Sequence, residues 1–224
     1  MPGRDDDLWP PVPELVPARP TLPRLRLAAR ECRACHLYRD ATQTVFGEGP
    51  ARAEVMFVGE QPGDAEDRAG HPFVGPAGRL FQESLEEAGI DRSAVYITNV
   101  VKHFKFIRRG KRRIHKKPNA EEIRACFPWL EAELGAVNPR IVVALGAVAA
   151  QALLGSKVRV TKDRGRLNPA SFADAVMVTV HPSSILRAPD DETRRSERRA
   201  FVRDLRVIAK ALRERASEPR RAHG

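Results

Sequence analysis

Four runs of consecutive apolar residues divide the chain, at residues 54–58, 94–101, 140–145 and 175–180. Because these runs are continuous rather than alternating, they predict strands buried on both faces, as in a parallel sheet. Helical patterns cover residues 78–88, 120–134, 147–154 and 192–215. The alternation of strand and helix predicts an α/β protein, a three-layer α/β/α sandwich with a central four-stranded parallel sheet. Right-handed crossovers would bring the carboxyl ends of its strands to one edge.

The domain boundaries follow from the segments that lack this pattern. Residues 1–21 are rich in proline and carry an acidic triplet, which predicts a proline-rich N-terminal tail or a strap over the body. Residues 22–215 are expected to form a single domain, opening with a short helix over 22–30. Residues 216–224 are expected to form a C-terminal tail. Pro118 and Asn119 signal one helix start, and Asp190 or Asp191 caps the last helix.

A long loop follows the first predicted strand. Residues 59–80 contain five glycines, four acidic residues and Phe73. Ordinary strand-to-helix loops run only about 2–6 residues. Since ligands of open α/β sheets bind at the carboxyl ends of the strands, this loop predicts a pocket.

Composition narrows the class of partner. The formal net charge is +10 although acidic residues are plentiful, which favours a polyanion such as nucleic acid over an acidic small molecule. A merely solvated basic surface is the alternative. The chain shows no membrane-spanning apolar stretch and no leader pattern, so a cytoplasmic location without membrane contact is expected. Three cysteines in a reducing compartment favour metal ligation or simple burial over disulfides.

The basic charge is concentrated in residues 102–117, which hold nine Lys or Arg and no acid. Phe104 and Phe106 are interleaved with them. This composition predicts contact with DNA phosphates. His115 differs from its neighbours because a neutral imidazole is a nucleophile, whereas protonated lysine and arginine are not.

The cysteine spacing suggests a metal centre. Cys32 and Cys35 form a C-x-x-C pair, and Cys126 lies far along the chain in a predicted helix. Three thiolates are one short of a closed four-ligand site. With one histidine added, this set suits Zn²⁺ as well as an iron–sulfur cluster, and burial of three structural cysteines is a further alternative.

Three motifs resemble those of a known family. Residues 59–63, 66–67 and 72–80 are similar to the first motif of the iron–sulfur uracil-DNA glycosylases, with Gln61 where most of those enzymes carry Ala. The run that starts at His181 and continues through Pro182 and Ser183 resembles their second motif. Residues 111–115 resemble the loop of the UdgX subgroup, whose members become covalently attached to uracil-containing DNA. The similarity runs from about Arg30 to Ala209.

The resemblance implies a pocket for a uracil base flipped out of the DNA. It implies that Phe73 stacks on the base, that Asn99 pairs with N3–H and O4, and that His181 meets O2 as the bond breaks. A lone histidine at a strand end would otherwise suggest a structural role. Gln61 and Asp64 are expected to line the pocket, while Glu66 and Asp67 suit either a pocket role or the start of a helix.

Contacts with the DNA backbone are expected around this pocket. Ile185 or Leu186 is expected to fill the gap left by the flipped nucleotide. The residues expected to bind DNA phosphates are Lys111, Arg112, Arg113, Lys116, Ser183 and Ser184.

The resemblance also implies a [4Fe–4S] cluster. In the family the third cysteine directly follows a Thr-Asn-x-Val-Lys run, which is residues 98–102 here, so His103 replaces one thiolate. The implied ligands are Cys32, Cys35, His103 and Cys126. His36, beside Cys35, is a competing ligand.

For His115 the resemblance implies capture of the sugar carbon C1′ after uracil leaves, with Glu60 accepting the other ring proton or stabilising the cationic sugar. His115, Glu60 and His181 are therefore the expected catalytic residues. One alternative is an ordinary turnover glycosylase in which His115 only contacts DNA. Another is a non-enzymatic iron–sulfur module that binds nucleic acid. The expected partner is uracil-containing DNA, single-stranded or duplex, and a monomer suffices for such a pocket.

Overall fold

A computed structural model of the protein describes residues 12–216, except for the side chains of residues 215 and 216. Most of the two predicted tails, residues 1–11 and 217–224, lies outside the described residues. The helices are, in chain order, α1 Val12–Leu15, α2 Leu22–Ala29, α3 Asp64–Ala69, α4 Pro76–Ala88, α5 Ala120–Val137, α6 Gly146–Leu154, α7 Val160–Asp163, α8 Pro182–Leu186 and α9 Asp191–Ala216. Short 3-10 helices cover His36–Arg39 and Arg92–Ala94.

The strands form one large sheet and one hairpin. They are β1 Val55–Gly59, β2 Val95–Asn99, β3 Phe106–Arg109, β4 Arg112–His115, β5 Ile141–Leu145, β6 Leu167–Ala170 and β7 Ala173–Thr179. The large sheet has the order β2-β1-β5-β7-β6. Its first four strands are parallel, which confirms the predicted parallel sheet. The fifth strand, β6, runs antiparallel to β7 at the edge and was not predicted.

Helices cover both faces of this sheet, as the continuous apolar runs predicted. Met56 and Val58 of β1 point to one face, where they join a core with α2, α5 and α6 around Trp129. Val55 and Phe57 point to the other face and join a core with α4, α8 and α9. The three-layer α/β/α sandwich is thereby confirmed.

The ends of two helices follow their sequence signals. Asn119 caps α5 by accepting a hydrogen bond from the Glu122 amide at 2.8 Å, and the Glu122 carboxylate accepts one from the Asn119 amide at 2.7 Å. Asp190, rather than Asp191, caps α9, because its carboxylate accepts from the Thr193 amide at 2.7 Å. Within the predicted N-terminal tail, α1 packs against α5 and Val12 is buried.

The basic segment between β2 and α5 is not an open loop. Its residues Phe106–Arg109 and Arg112–His115 pair as an antiparallel hairpin, with Gly110 at a φ of 57° in the turn. The sequence pattern missed this hairpin because its strands are dominated by charged residues. No helix within residues 12–216 is long and apolar enough to cross a membrane.

A buried ion pair joins α5 to β2. Lys102 and Glu133 are both essentially inaccessible to solvent, and the Lys102 ammonium contacts the Glu133 carboxylate. That carboxylate also accepts hydrogen bonds from the Tyr96 hydroxyl at 2.8 Å, the Thr98 hydroxyl at 2.9 Å and the Gly47 amide at 3.0 Å. Lys102 was predicted to contact phosphate, and the structure corrects this, because its charge is neutralised inside the protein.

Replacing Glu133 with Leu should lower the free energy of unfolding by about 3–5 kcal/mol, because the Lys102 ammonium would be buried without a counter-charge. The double variant Lys102→Met/Glu133→Leu should recover part of that loss, since it removes both charges. Urea unfolding followed by tryptophan fluorescence measures the difference. Glu131→Leu, an exposed site on the same helix, is the control and should stay within about 0.5 kcal/mol of the unmodified protein. Equal stability of the Glu133→Leu and Glu131→Leu proteins would contradict the expectation.

Candidate functional site

A cavity of about 800 Å³ lies at the carboxyl edge of the parallel strands. Its walls come from the loop after β1, the end of β2, the end of the hairpin and the segment after β7. Among the residues for which a pocket role was predicted from the sequence, those that line it are Glu60, Gln61, Glu66, Phe73, Asn99, His115, His181, Ser183 and Ser184. Residues far apart in the chain therefore meet at one edge of the sheet, as parallel topology requires.

Phe73 forms an aromatic wall in a strained conformation. Its φ is 57°, in the left-handed region that a bulky residue rarely adopts. The chain tolerates this turn because Gly78 follows closely, and a side chain at position 78 would overlap the Phe73 carbonyl. The Phe73 ring lies 5.8 Å from the His181 ring and 5.4 Å from Phe81, measured between centroids. Strain of this kind costs about 1–3 kcal/mol and is concentrated at ligand sites.

Asn99 presents an unused acceptor at the end of β2. The residue is 2% exposed, and its side-chain oxygen Oδ1 has no hydrogen-bond partner among the described residues. Its backbone carbonyl accepts a hydrogen bond from the Lys102 ammonium at 2.6 Å. A buried polar atom without a partner is costly, so the site suits a ligand that donates a hydrogen bond to it.

His181 and Ser183 are joined by local hydrogen bonds. The Ser183 backbone amide donates to Nδ1 of His181 at 3.1 Å, and the Ser183 hydroxyl lies 2.8 Å from the same nitrogen. Since Nδ1 accepts, the ring proton is on Nε2, where it is a donor for a bound molecule. Burial lowers the pKa of His181 to about 4, and the charges of Arg187 and His115 add to this effect. His181 is therefore neutral at pH 7.

His115 and Glu60 lie together in the cavity. Nε2 of His115 is 3.3 Å from Oε1 of Glu60, a buried oxygen without a hydrogen bond in the described part of the chain. Burial raises the pKa of Glu60, although the charges of Lys117 and Arg187 oppose this effect. Partial burial and the Arg187 charge lower the pKa of His115, whose side chain is 51% exposed. The pair thus combines a neutral imidazole with a carboxylate that can accept its proton.

Two predicted site residues hold the hairpin instead. Asp64 does not line the cavity, because its carboxylate pairs with Arg113 and Arg68. The Arg113 side chain is only 7% exposed and also donates to Asp67 at 2.6 Å. It lies over the rings of Phe104 and Phe106. These contacts correct the expected pocket role of Asp64 and the expected phosphate contact of Arg113.

Gln61 also fastens the hairpin. Its amide nitrogen donates to the carbonyls of Lys105 at 3.2 Å and Lys116 at 3.0 Å, and its oxygen accepts from the Lys105 amide at 3.1 Å. Gln61 lines the cavity, but most of its hydrogen-bonding capacity joins the two ends of the hairpin to the loop after β1.

Glu66 and Asp67 shape the loop itself. The Glu66 carboxylate accepts from the Gly63 amide at 3.1 Å and from the Gly75 amide at 2.7 Å. Glu66 also lines the cavity, whereas Asp67 is fully buried and accepts from the Thr42 amide. Both roles predicted for Glu66 therefore apply, since its carboxylate caps the first turn of α3 and also borders the pocket.

The remaining predicted DNA contacts surround the cavity. Lys111, Arg112 and Lys116 are exposed, and no ion pair with a carboxylate is found for them within residues 12–216. The hydroxyl of Ser184 donates to the His181 carbonyl at 2.8 Å. Ile185 is buried in the core, whereas Leu186 is 37% exposed. Leu186 is thus the one of the two that remains accessible to DNA.

No role was predicted for Arg187 from the sequence, although this residue lines the cavity. Its charge affects the pKa of Glu60, His115 and His181. A lone arginine after a short helix carries no sequence signal, because its proximity to three titratable groups arises only on folding.

The three cysteines belong to the core that contains Trp129, and none of them lines the cavity. The Trp129 indole donates to Cys32 Sγ at 3.3 Å, and the Lys102 amide donates to Cys126 Sγ at 3.2 Å. Burial raises the pKa of Cys35 to about 11 and that of Cys126 to about 12, and neighbouring cysteines contribute to both increases. Such thiols ionise at neutral pH only when a cation binds them, so they suit either a metal group or simple burial.

His103 is held as a neutral imidazole beside this group. Its Nε2 lies 3.0 Å from the Thr44 hydroxyl, which itself donates to the Ala29 carbonyl at 2.9 Å. Because that hydroxyl has one proton, Nε2 is the donor and Nδ1 keeps a lone pair. The competing His36 is instead exposed and lies 3.2 Å from Glu122. Within residues 12–216, no three or more His, Cys, Asp or Glu side chains surround one point closely enough for a single ion.

Comparison with known proteins agrees with this geometry. The family model described as the uracil DNA glycosylase superfamily matches residues 46–206. A type-4 uracil-DNA glycosylase of Thermotoga maritima is 43% identical over 169 residues, which cover 74% of this chain and 83% of the relative. A second, from Pyrobaculum aerophilum, is 36% identical over 175 residues, covering 75% and 86% respectively.

A more distant relative matches a shorter segment. It is a type-5 uracil-DNA glycosylase of Thermus thermophilus, 34% identical over 125 residues that cover 49% of this chain and 53% of the relative. The family model spans the cavity residues from Glu60 to Arg187. The chain belongs to the uracil DNA glycosylase superfamily, with type-4 enzymes among its relatives.

Proposed function

We propose that this protein excises uracil from DNA and that His115 then captures the sugar to form a covalent adduct. The observation that carries the proposal is the meeting of Phe73, Asn99 and His181 in one cavity, with the His115–Glu60 pair beside them. The similarity to type-4 uracil-DNA glycosylases supports the excision step.

Asn99 is the residue that reads the base. Its unpartnered Oδ1 accepts the N3–H of uracil, and its amide group donates to O4, while Phe73 covers the face of the ring. Cytosine presents an acceptor at N3 and a donor at N4, so both hydrogen bonds would be mismatched. Leaving buried polar groups unpaired costs roughly 1–3 kcal/mol, which favours uracil.

His181 stabilises the departing base. As the bond between N1 and C1′ breaks, its electron pair stays with uracil and negative charge grows on O2. The Nε2 proton of His181 donates to that oxygen, and the fixed positive charge of Arg187 favours the anion. The low pKa of His181 means that it acts as a neutral hydrogen-bond donor.

His115 then competes with water for the cationic sugar. One ring nitrogen passes its proton to Glu60, and the lone pair of the other forms a bond to C1′. The alkylated imidazole is a poor leaving group, so the product persists. Glu60 suits this role because burial raises its pKa and its Oε1 has no other hydrogen bond among the described residues.

An ordinary turnover glycosylase is the second candidate. The similarity to enzymes named type-4 uracil-DNA glycosylases favours it. In that case His115 contacts DNA, and water completes the reaction. The two candidates share the base pocket and differ only in the fate of C1′.

The DNA backbone passes over the rim of the cavity. Lys111, Arg112 and Lys116 neutralise phosphates, and Ser183 and Ser184 lie beside the sugar of the flipped nucleotide. Leu186 occupies the space that this nucleotide leaves in the stack. The cavity is built from one chain, so a monomer suffices, and we place the protein in the cytoplasm with uracil-containing DNA as its partner.

We also propose that Cys32, Cys35, His103 and Cys126 hold a [4Fe–4S] cluster. The free Nδ1 lone pair of His103 and the location of the three cysteines in one core support this ligand set. When bound, the cluster would cross-link the segment after α2 to α5 and to the end of β2, with no part in the reaction. Residues 22–215 would then act as one domain.

The variant His115→Ser should lose the adduct and gain turnover, because Phe73, Asn99 and His181 still bind uracil while water reaches C1′. Denaturing gel electrophoresis after incubation with uracil-containing single-stranded DNA should show a shifted band for the unmodified protein only. The variant should release uracil and leave an abasic site. Lys116→Ala is the control and should keep the adduct while weakening binding and lowering its salt dependence. An undiminished adduct in the His115 variant would contradict the role of His115.

Gly59→Ala should raise the DNA concentration needed for half-maximal excision about tenfold or more, because the new methyl group would clash with Asn99 Oδ1 and lie 3.0 Å from the Phe73 ring. Gly135→Ala in α5 is the matched control, since no atom would lie within 4 Å of its methyl group. Its activity should be unchanged. Single-turnover assays measure both. An unchanged half-maximal DNA concentration for Gly59→Ala would argue against Asn99 as the residue that recognises uracil.

Purified protein should be brown and contain about four irons per chain. Iron analysis and the visible absorption spectrum test this. His103→Cys should retain the cluster, because it supplies the thiolate usual for such ligands, whereas Cys126→Ala should lose it. Colourless protein with one zinc per chain would refute the cluster.

A further inference from the structure

One face of the hairpin is built from two isoleucines and two arginines. Ile107 lies opposite Ile114 in the antiparallel pairing, and Arg109 lies opposite Arg112. Directly opposite residues, and alternate residues along a strand, project from the same side. These four side chains therefore share one side of the hairpin, which we call the isoleucine face.

This face is exposed although it is apolar. Ile107 is 43% exposed and Ile114 is 39% exposed, and they are among only six large hydrophobic residues so exposed in the described part of the chain. The opposite face of the hairpin is the one that packs on the protein. There, Phe106 stacks on Phe104 with ring centroids 5.1 Å apart, and Arg113 pairs with Asp64 and Asp67.

The charges on the isoleucine face are also uncompensated. Arg109 and Arg112 are exposed, and within residues 12–216 the ion pairs of the hairpin arginines are those of Arg113. An apolar pair flanked by two cations is complementary to a strand whose bases have apolar faces and whose phosphates are anionic. A protein partner would need matching carboxylates beside an apolar patch, whereas single-stranded DNA offers both features in every nucleotide.

The location of the isoleucine face indicates which nucleotide would contact it. Ile114 lines the cavity and directly precedes His115. The isoleucine face therefore begins where the cavity opens, within reach of the nucleotide that adjoins a uridine bound there. Bases within a duplex remain stacked on each other, so this apolar surface suits a nucleotide that is unpaired and unstacked.

We propose that the isoleucine face binds the nucleotide next to the uridine in single-stranded DNA. Its base lies on Ile107 and Ile114, and Arg109 and Arg112 meet the flanking phosphates. The inference rests on the proposed excision of uracil, and it adds a second base-binding surface that begins at the rim of the cavity. Ile107 acts on substrate binding and not on bond cleavage, since it does not line the cavity.

The test couples a change in the protein to a change in the DNA. Single-turnover excision is measured against protein concentration for three single-stranded oligonucleotides that contain one uracil. One is intact, and the others carry an abasic spacer directly 5′ or directly 3′ of the uridine. With the unmodified protein, a spacer on one side should raise the half-saturating concentration about five- to tenfold. The rate at saturation should not change.

Ile107→Thr should raise the half-saturating concentration on the intact oligonucleotide by a similar factor, and the spacer should then cause little further loss. The substitution keeps a β-branched residue and so preserves the strand. Val207→Thr is the matched control, because Val207 on α9 is 38% exposed and lies outside the hairpin. It should behave as the unmodified protein does, including its sensitivity to the spacer.

The outcomes separate this inference from the proposed function. Uracil release that is insensitive to both spacers, or an Ile107→Thr protein that stays fully sensitive, would overturn the isoleucine face and leave the glycosylase intact. A fall in the saturated rate of Ile107→Thr, with unchanged half-saturation, would also overturn it. Failure of the unmodified protein to release uracil from any oligonucleotide would overturn both.

Discussion

The buried contact between Lys102 and Glu133 is the interaction on which the site geometry depends. An ammonium and a carboxylate can be withdrawn from water only when both are fully satisfied. Here Glu133 accepts hydrogen bonds from Tyr96, Thr98 and Gly47. Lys102 donates a further hydrogen bond to the Asn99 carbonyl. The same network therefore fixes the end of β2 and the backbone of the residue that faces the cavity.

The Lys102–Glu133 pair also connects the cavity with the cysteines. The Lys102 side chain reaches Asn99, while its backbone amide donates to Cys126 Sγ at 3.2 Å. His103, the next residue, begins the turn that leads to the hairpin. A metal group held by His103 and the cysteines would lie outside the cavity. Its ligand His103 would nevertheless be adjacent in sequence to Lys102, which holds the backbone of Asn99. The proposed cluster would therefore have a structural role, because it would hold the turn after β2 and, through Lys102, the position of Asn99.

The sequence could predict the parts of the fold that depend on local pattern. Continuous apolar runs located the four parallel strands, and Asn119 and Asp190 located two helix starts. It could not locate β6, whose residues include Asn168 and Pro169 and which pairs only at the sheet edge. The hairpin was missed for another reason. Its strands are charged because one side faces solvent and the other is neutralised by Asp64 and Asp67, which are distant in sequence.

The same limit applies to the site. The motifs predicted that Glu60, Phe73, Asn99 and His181 lie at one edge of the sheet, because parallel strands end there. They did not predict that the Gln61 amide is hydrogen-bonded to the backbone of Lys105 and Lys116. The partners of a charged or amide side chain are decided by packing, and a sequence run of lysines and arginines looks the same whether its members are paired or free.

The contacts that fasten the hairpin explain how a basic segment can hold a histidine beside a carboxylate. Arg113 binds two carboxylates of α3 and Gln61 joins both hairpin ends, so His115 is carried to Glu60 by contacts that do not involve its own ring. Partial burial and the nearby charge of Arg187 then lower the pKa of the imidazole. A flexible basic loop would not hold the histidine beside a carboxylate that can take its proton. The structural ion pairs of the hairpin are therefore what would allow His115 to compete with water for a cationic sugar, since they fix the imidazole in place before the bond to the base breaks.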